Sequence, residues 1–93
     1  MRWTWDPGKA KANLEKHKVS FELAERASGD PLCISIPDLY PDEDRWVTLG
    51  SPSTDGIVVL YVVHTWPGDE SSAGRIISAR RAESHERREY EER

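Results

Sequence analysis

The chain has 93 residues and a mass of 10.6 kDa, which excludes two independent domains and predicts one small domain over residues 1–93. No apolar run approaches the roughly 20 residues that a membrane helix needs, and no signal-peptide pattern follows Met1, so we expect a cytoplasmic protein with no membrane partner. Cys33 is the single cysteine, which excludes an internal disulfide and a cysteine metal site.

The N-terminal third predicts a short strand followed by two helices. Polar and aromatic residues alternate over residues 2–5, as in a short edge strand. Asp6-Pro7 then combines a good N-cap with a residue suited to the first helical position, which predicts a helix over 7–17. Ser20 is a second N-cap, and we expect a shorter helix over 20–27.

The remainder predicts four strands and a charged helix. These elements are strands at 32–36, 45–51, 57–66 and 75–79 and a helix over 82–92. The run 57–66 is apolar at both odd and even positions through Val63, so it should be an inner strand covered on both faces. The order β-α-α-β-β-β-β-α predicts an α+β fold with one antiparallel sheet of four or five strands and helices mostly on one face.

Charge is segregated along the chain, although the net charge of −4 by itself argues against nucleic-acid binding. Residues 9–18 carry four Lys and one Glu, and residues 75–88 carry five Arg and two Glu. Residues 30–44 hold five acids and no Lys or Arg. This pattern predicts a molecule with one positive surface; helices with solvated salt bridges are the alternative.

The common cofactor and metal motifs are absent from the sequence. It has no phosphate-binding glycine loop, no H-E-x-x-H and no G-x-S-x-G nucleophile turn. The three histidines, His17, His64 and His85, lack metal-ligand spacing. We therefore expect no metal site and no cofactor.

The residue types of the C-terminal segment suit phosphodiester chemistry. RNA cleavage by the 2′-OH requires only proton transfer and stabilisation of charge on phosphorus, and the Arg fork matches phosphate oxygens. The candidates within residues 75–90 are Arg75, Arg80, Arg81, His85, Glu86 and Tyr90. Strand alternation places Arg75 and Arg81 on one face and Arg80 on the other, while Glu86 and Tyr90 share a helix face. The alternative is a charged helix whose Tyr packs on the sheet.

Candidates outside this segment are fewer. His64 ends the apolar strand and either transfers a proton or is a hydrogen-bonded histidine at the sheet edge. Lys9 and Lys16 share a helix face and suit phosphate or an acidic partner. Four aromatic residues, Trp3, Trp5, Trp46 and Tyr61, are expected in the core. Trp66 is the best candidate for an exposed aromatic.

An ordered set of motifs along nearly the whole chain resembles the BrnT toxin family. The set begins with Trp5-Asp6-Pro7, Lys9, Asn13, Lys16-His17, Val19, Ser20, Phe21 and Gly29-Asp30-Pro31. It continues with Arg45-Trp46, Gly50, Val62-Val63-His64-Thr65, the run from Arg75 to Arg80, Ala82, Glu86 and Tyr90. The chain departs from the family at Glu83-Ser84-His85, where relatives are more basic, and at loop 67–74, which is long and contains Asp69 and Glu70.

The resemblance implies a type II toxin of a toxin–antitoxin module, similar in fold to the RelE ribonucleases. Such proteins cleave RNA and arrest growth. A BrnA-type antitoxin with a ribbon-helix-helix region neutralises them, and the complex represses its own operon, so DNA is contacted only indirectly. The resemblance carries over six candidate functional residues, which are Lys16, His64, Arg75, Arg80, Glu86 and Tyr90.

Two hypotheses from different classes follow. The first is a metal-independent endoribonuclease. Its catalytic residues are His64, Arg75, Arg80, Glu86 and Tyr90, and its RNA-binding residues are Lys9, Lys16 and Arg81. The second is a non-catalytic binding module whose charged surface only holds an antitoxin or another protein, because a basic groove suits RNA and an acidic peptide alike.

Overall fold

A computed structural model describes residues 3–38, 44–66 and 73–92, and within them the chain forms five strands and three helices. In chain order these are β1 (Trp3–Thr4), α1 (Pro7–His17), α2 (Phe21–Ser28), β2 (Ile34–Asp38), β3 (Arg45–Gly50), β4 (Leu60–Thr65), β5 (Gly74–Arg81) and α3 (Ser84–Glu92). This order confirms the predicted β-α-α-β-β-β-β-α succession and the α+β class.

The sheet is mixed rather than wholly antiparallel. Its strand order is β1-β5-β4-β3-β2, and the pairs from β2 to β5 form an antiparallel meander. β1 pairs in parallel with β5 through Trp3–Gly74 and Thr4–Arg75. The expectation of a purely antiparallel sheet was therefore wrong. The two helices carry the chain from β1 to the far edge of the sheet, and the meander returns β5 to the side of β1 in the same direction.

The predicted caps explain where the first two helices begin and end. Asp6 Oδ2 accepts from the Lys9 amide at 2.9 Å, with Pro7 at the first helical position. Lys18 adopts the left-handed conformation, with φ of 60°, and its amide donates to the Leu14 carbonyl at 2.9 Å. Ser20 Oγ accepts from the Leu23 amide at 3.1 Å, so the helical residues of α2 begin one position after the predicted start.

The two faces of the sheet are covered unequally. The inner face packs against α1 and α2, and its core joins Phe21 and Ala24 to Val62, Ile76 and Ala79. The close approach of α2 requires Gly50, because a Cβ there would lie 2.2 Å from the Ala27 carbonyl oxygen. The outer face is the opposite side of the sheet.

The outer face is covered by α3 only in part. Tyr90 of α3 packs there with Leu49 and Val59, beside Tyr61. β4 is an inner strand, as predicted, but it begins at Leu60 rather than at residue 57. Its inner-face residues are buried, whereas its outer-face residues are only half-buried. The expected burial therefore holds for the inner face of β4 but not for its outer face.

Asn13 completes the hydrogen bonding of β5 where β1 ends. Its Nδ2 donates to the carbonyl oxygens of Ala79, at 2.8 Å, and Val19, at 3.0 Å, while its Oδ1 accepts from the Ala79 amide at 3.1 Å. β1 pairs only with Gly74 and Arg75. The side-chain amide of Asn13 therefore takes the place of a further β1 residue and satisfies the amide and carbonyl of Ala79. This contact attaches α1 to the sheet.

Replacing Asn13 with Leu should therefore destabilise the domain. The change leaves the Ala79 amide and carbonyl buried without partners, at a cost of about 2–4 kcal/mol in the free energy of unfolding. Chemical denaturation would measure it. The exposed Glu15→Leu change on the same helix is the control and should shift the value by less than about 0.5 kcal/mol. Equal stability of the two variants would contradict this role.

Candidate functional site

A bulge in β5 decides which basic side chains share a face. Val63 is opposite Ser78 and His64 is opposite Ile76, so Ile77 is an extra residue without a direct partner. Ile76 and Ala79 both enter the inner-face core, although simple alternation would separate them. Their outward neighbours, Arg75 and Arg80, consequently lie on the outer face together. The predicted pairing of Arg75 with Arg81, and of Arg80 with the opposite face, was wrong for this reason.

Arg80, Glu86 and Tyr61 form a compact cluster on the outer face. Arg80 Nη1 and Nη2 donate to the two carboxylate oxygens of Glu86 at 2.8 and 2.9 Å. The guanidinium carbon of Arg80 lies 4.0 Å from the centre of the Tyr61 ring, which is its cross-strand neighbour. We call these three residues the Arg80 cluster. It combines a fixed fork of N–H donors with a carboxylate that can accept a proton.

The start of α3 explains the position of Glu86. The Ala82 amide donates to the Val59 carbonyl at 2.9 Å, which turns the chain at the end of β5. The Glu86 carboxylate then accepts from the Glu83 amide at 2.8 Å, the reciprocal half of a capping box. The same carboxylate therefore begins the helix and holds Arg80. Only 10% of the Glu86 side chain is exposed, against 31% of Arg80, so the guanidinium is the more accessible partner.

The electrostatics of the pair fix both charges. Burial raises the pKa of Glu86, but the hydrogen bonds from Arg80 and the Glu83 amide outweigh burial and hold this pKa below its ordinary value. The hydrogen bonds to Glu86 raise the pKa of Arg80. Burial raises the pKa of Tyr61, and the Glu86 charge adds to the effect. At neutral pH the cluster contains a carboxylate, a guanidinium and a neutral phenol.

Tyr90 shares a helix face with Glu86, but its hydroxyl is directed elsewhere. It donates to Asp30 Oδ2 at 2.5 Å, and the ring is 5% exposed. The Asp30 carboxylate also accepts from the amides of Leu32 and Ser51, both at 2.9 Å. Tyr90 therefore ties α3 to the end of α2 and the end of β3, and this arrangement suits an orienting role rather than proton transfer.

His64 is not part of the Arg80 cluster, because it lies on the inner face and is 0% exposed. Its Nδ1 donates to the Thr65 carbonyl at 3.0 Å, and its Nε2 is 2.7 Å from Thr48 Oγ1. Since a carbonyl oxygen only accepts, the proton is on Nδ1, and Nε2 accepts from the Thr48 hydroxyl. The Trp3 ring packs edge-on at 4.9 Å. The expected catalytic His64 is thus a buried, satisfied histidine of the sheet.

The other predicted site residues are dispersed over the surface. Arg75 is exposed on the outer face, and its amide donates to Thr65 Oγ1 at 3.0 Å. Arg81 is exposed at the end of β5, where its carbonyl accepts from Arg80 Nη1 at 3.2 Å. Lys9 and Lys16 are exposed on α1, which packs with the inner-face core. No described ion pair joins either lysine to the Arg80 cluster.

Tyr61 is the cluster residue that the sequence interpretation missed. It was assigned to the core with the tryptophans, because nothing in the local sequence distinguishes the two faces of β4. The missing signal is the register that pairs Tyr61 with Arg80. The expectation for Trp66 was confirmed: it is 42% exposed, and it lines an inner-face cleft of about 360 Å³ with Trp3, Glu25, Ser28 and Gly29.

One group of side chains has the spacing of a metal site within residues 3–38, 44–66 and 73–92. Glu83, His85 and Glu86 bring ligand atoms within 4.8 Å of one another. Both Glu86 oxygens already accept hydrogen bonds from Arg80, so binding an ion there would compete with the ion pair.

Across the same ranges, no helix is long and apolar enough to cross a membrane.

The fold and site define a small α+β domain with a mixed five-stranded sheet and a cation–carboxylate cluster on its less covered face. The family described as "Ribonuclease toxin, BrnT, of type II toxin-antitoxin system" matches residues 5–86. The chain is also similar to the 1.1 Å crystal structure of the Brucella abortus ribonuclease toxin BrnT. The TM-score is 0.62 at 23% identity, over 90% of this chain and 99% of that chain. No curated protein matches it.

The chain therefore belongs to the BrnT family, the ribonuclease toxins of type II toxin–antitoxin systems. The match over residues 5–86 includes every site residue proposed from the sequence except Tyr90. The structural similarity independently supports the same fold.

The buried position of His64 predicts a pH-dependent stability. Burial lowers the pKa of His64 in the folded protein, so the unfolded chain binds the proton more readily. Stability should be complete above the ordinary histidine pKa of about 6.5 and fall as pH drops below it. Denaturation at pH 7.5 and pH 5 would measure the loss. His64→Gln should reduce the difference between the two pH values, whereas the exposed His85→Gln should preserve it.

Proposed function

We propose that the chain is a metal-independent endoribonuclease that cleaves RNA by 2′-OH attack, arrests growth and is neutralised by an antitoxin. The observation that carries the proposal is the Arg80 cluster, in which a guanidinium and an ionised carboxylate are joined on the less covered face. The nucleophile is part of the RNA itself, so the reaction requires a proton acceptor and stabilisation of phosphorane charge. Glu86 and Arg80 are suited to these two tasks.

Proton transfer from the RNA to this ion pair gives the proposed reaction sequence. Glu86 accepts the 2′-OH proton while the 2′-oxygen attacks phosphorus. As the carboxylate becomes neutral, its hold on Arg80 weakens, and negative charge develops on the non-bridging phosphate oxygens. The Arg80 N–H groups then donate to those oxygens. The products are a 2′,3′-cyclic phosphate and a 5′-hydroxyl end.

The remaining site residues support this reaction in different ways. Arg75 shares the outer face with Arg80, and we assign it to a neighbouring phosphate. Lys9, Lys16 and Arg81 are exposed and suit electrostatic attraction of the RNA backbone. Tyr90 orients α3 through Asp30. His64 acts only through the stability of the sheet.

Substitutions in the Arg80 cluster test this function. Glu86→Gln preserves a capping-box residue but removes the base, so cleavage of an RNA oligonucleotide should slow about 10²–10⁴-fold. Arg80→Ala should cost about 2–4 kcal/mol of transition-state stabilisation, by analogy with the loss of one oxyanion donor. Arg26→Ala, at an exposed position of α2, is the control for lost positive charge. Thermal unfolding would verify that each variant is folded.

The same assay decides the role of metal. Wild-type cleavage should persist in EDTA. Loss of cleavage in chelator that magnesium restores would contradict the metal-independent mechanism and direct attention to Glu83, His85 and Glu86. Full activity of a folded Arg80→Ala variant would move the site elsewhere. An inactive wild-type protein that still binds its antitoxin would favour the non-catalytic binding module, in which Arg80 and Glu86 serve only to hold the fold.

The antitoxin proposed here is of the BrnA type, with a ribbon-helix-helix region that binds the operon, so this chain would contact DNA only through the complex. We propose that the protein acts in the cytoplasm. The segregated Lys, Arg and acidic segments suit a partner of mixed charge. Calorimetric titration with the antitoxin should give tight binding that weakens as salt rises from about 50 to about 500 mM, because salt screens the exposed charges. Affinity insensitive to salt would contradict the electrostatic part of this proposal.

A further inference from the structure

The proposed reaction lacks one component, a group that protonates the leaving 5′-oxygen. Glu86 begins the reaction as a base and cannot deliver that proton in the same step. The obvious donors are already used or out of reach. His64 is buried on the inner face, and the Tyr90 hydroxyl donates to Asp30. The Tyr61 phenol has a raised pKa, which makes it a weak proton donor at neutral pH.

His85 lies beside the Arg80 cluster and is exposed. A ring nitrogen of His85 lies within 4.8 Å of carboxylate oxygens of both Glu83 and Glu86. Within the described residues, the imidazole takes part in no hydrogen bond or ion pair, so its N–H groups remain available to a ligand. The capping box that begins α3 holds the backbone at this position, because His85 lies between Glu83, just before the helix, and Glu86 in its first turn.

We propose that His85 is the general acid of the reaction, paired with Glu86 as the general base. This inference rests on the proposed ribonuclease function and extends it by one residue. In one phosphodiester, the attacking 2′-oxygen and the leaving 5′-oxygen lie on opposite sides of phosphorus. A base and an acid that lie a few ångströms apart can each serve one of these two oxygens. Histidine is the side chain whose charge changes near neutral pH, which suits it to donate this proton.

The proton balance of the step is complete. The 2′-OH proton moves to the Glu86 carboxylate as the bond between the 2′-oxygen and phosphorus forms. The bond from phosphorus to the 5′-oxygen breaks, and the His85 imidazolium donates its proton to that oxygen. The enzyme is left with a protonated Glu86 and a neutral His85. Exchange with water restores both, with no metal, oxidant or second substrate.

A substrate with an altered leaving group distinguishes the two roles. In a 5′-bridging phosphorothiolate, sulfur leaves as a thiolate and needs little protonation. His85→Gln should slow cleavage of the normal RNA oligonucleotide about 10²–10³-fold but slow the phosphorothiolate less than about tenfold. Glu86→Gln should slow both substrates. His17→Gln on α1 is the control histidine and should cleave both substrates as the wild type does.

Two outcomes would overturn the assignment of His85 alone. These are wild-type activity of His85→Gln on normal RNA, or an equal loss on both substrates. Absence of cleavage by the wild-type protein on either substrate would instead overturn the ribonuclease function on which the assignment rests. The two failures are therefore distinguishable in one assay.

Discussion

The bidentate ion pair between Arg80 and Glu86 is the interaction on which the outer face depends. A carboxylate with 10% of its side chain exposed loses most of its hydration and would be costly without compensation. Three N–H donors provide that compensation, two from Arg80 and one from the Glu83 amide. Through them, the Glu86 side chain begins α3 and fixes the direction of the guanidinium.

A second polar contact holds the other end of α3. Asp30 accepts from the Tyr90 hydroxyl and from two backbone amides, so the last turn of the helix is tied to α2 and β3. Held at both ends, α3 keeps Glu86 over the Tyr61–Arg80 strand pair. The geometry of the cluster is therefore set by polar contacts as much as by packing, since the apolar cluster beneath α3 is small.

Local signals in the sequence were sufficient for the element order and caps, because Asp6, Ser20 and the apolar strand runs act within a few residues. They could not supply facts that depend on contacts between distant segments. The parallel pairing of β1 rests on two residues, too few for any periodic pattern. The bulge at Ile77 reverses which arginines share a face, and alternation alone places Arg80 wrongly. The contacts of His64 could not be predicted either, because its partners, Thr48 and Trp3, come from other strands.

The net charge of −4 is compatible with RNA as a substrate because the relevant field is local. With the bulge, Arg75 and Arg80 lie on one face, where screening over about 8–10 Å limits the influence of acids elsewhere on the molecule. Within the cluster itself, however, Glu86 neutralises Arg80 in the resting protein. In the reaction proposed above, phosphate in the ground state would gain little from Arg80, whereas the phosphorane would gain the full charge of Arg80 once the proton has moved to Glu86. An interaction that strengthens only in the transition state raises kcat rather than ground-state affinity, which is what catalysis requires of a binding group.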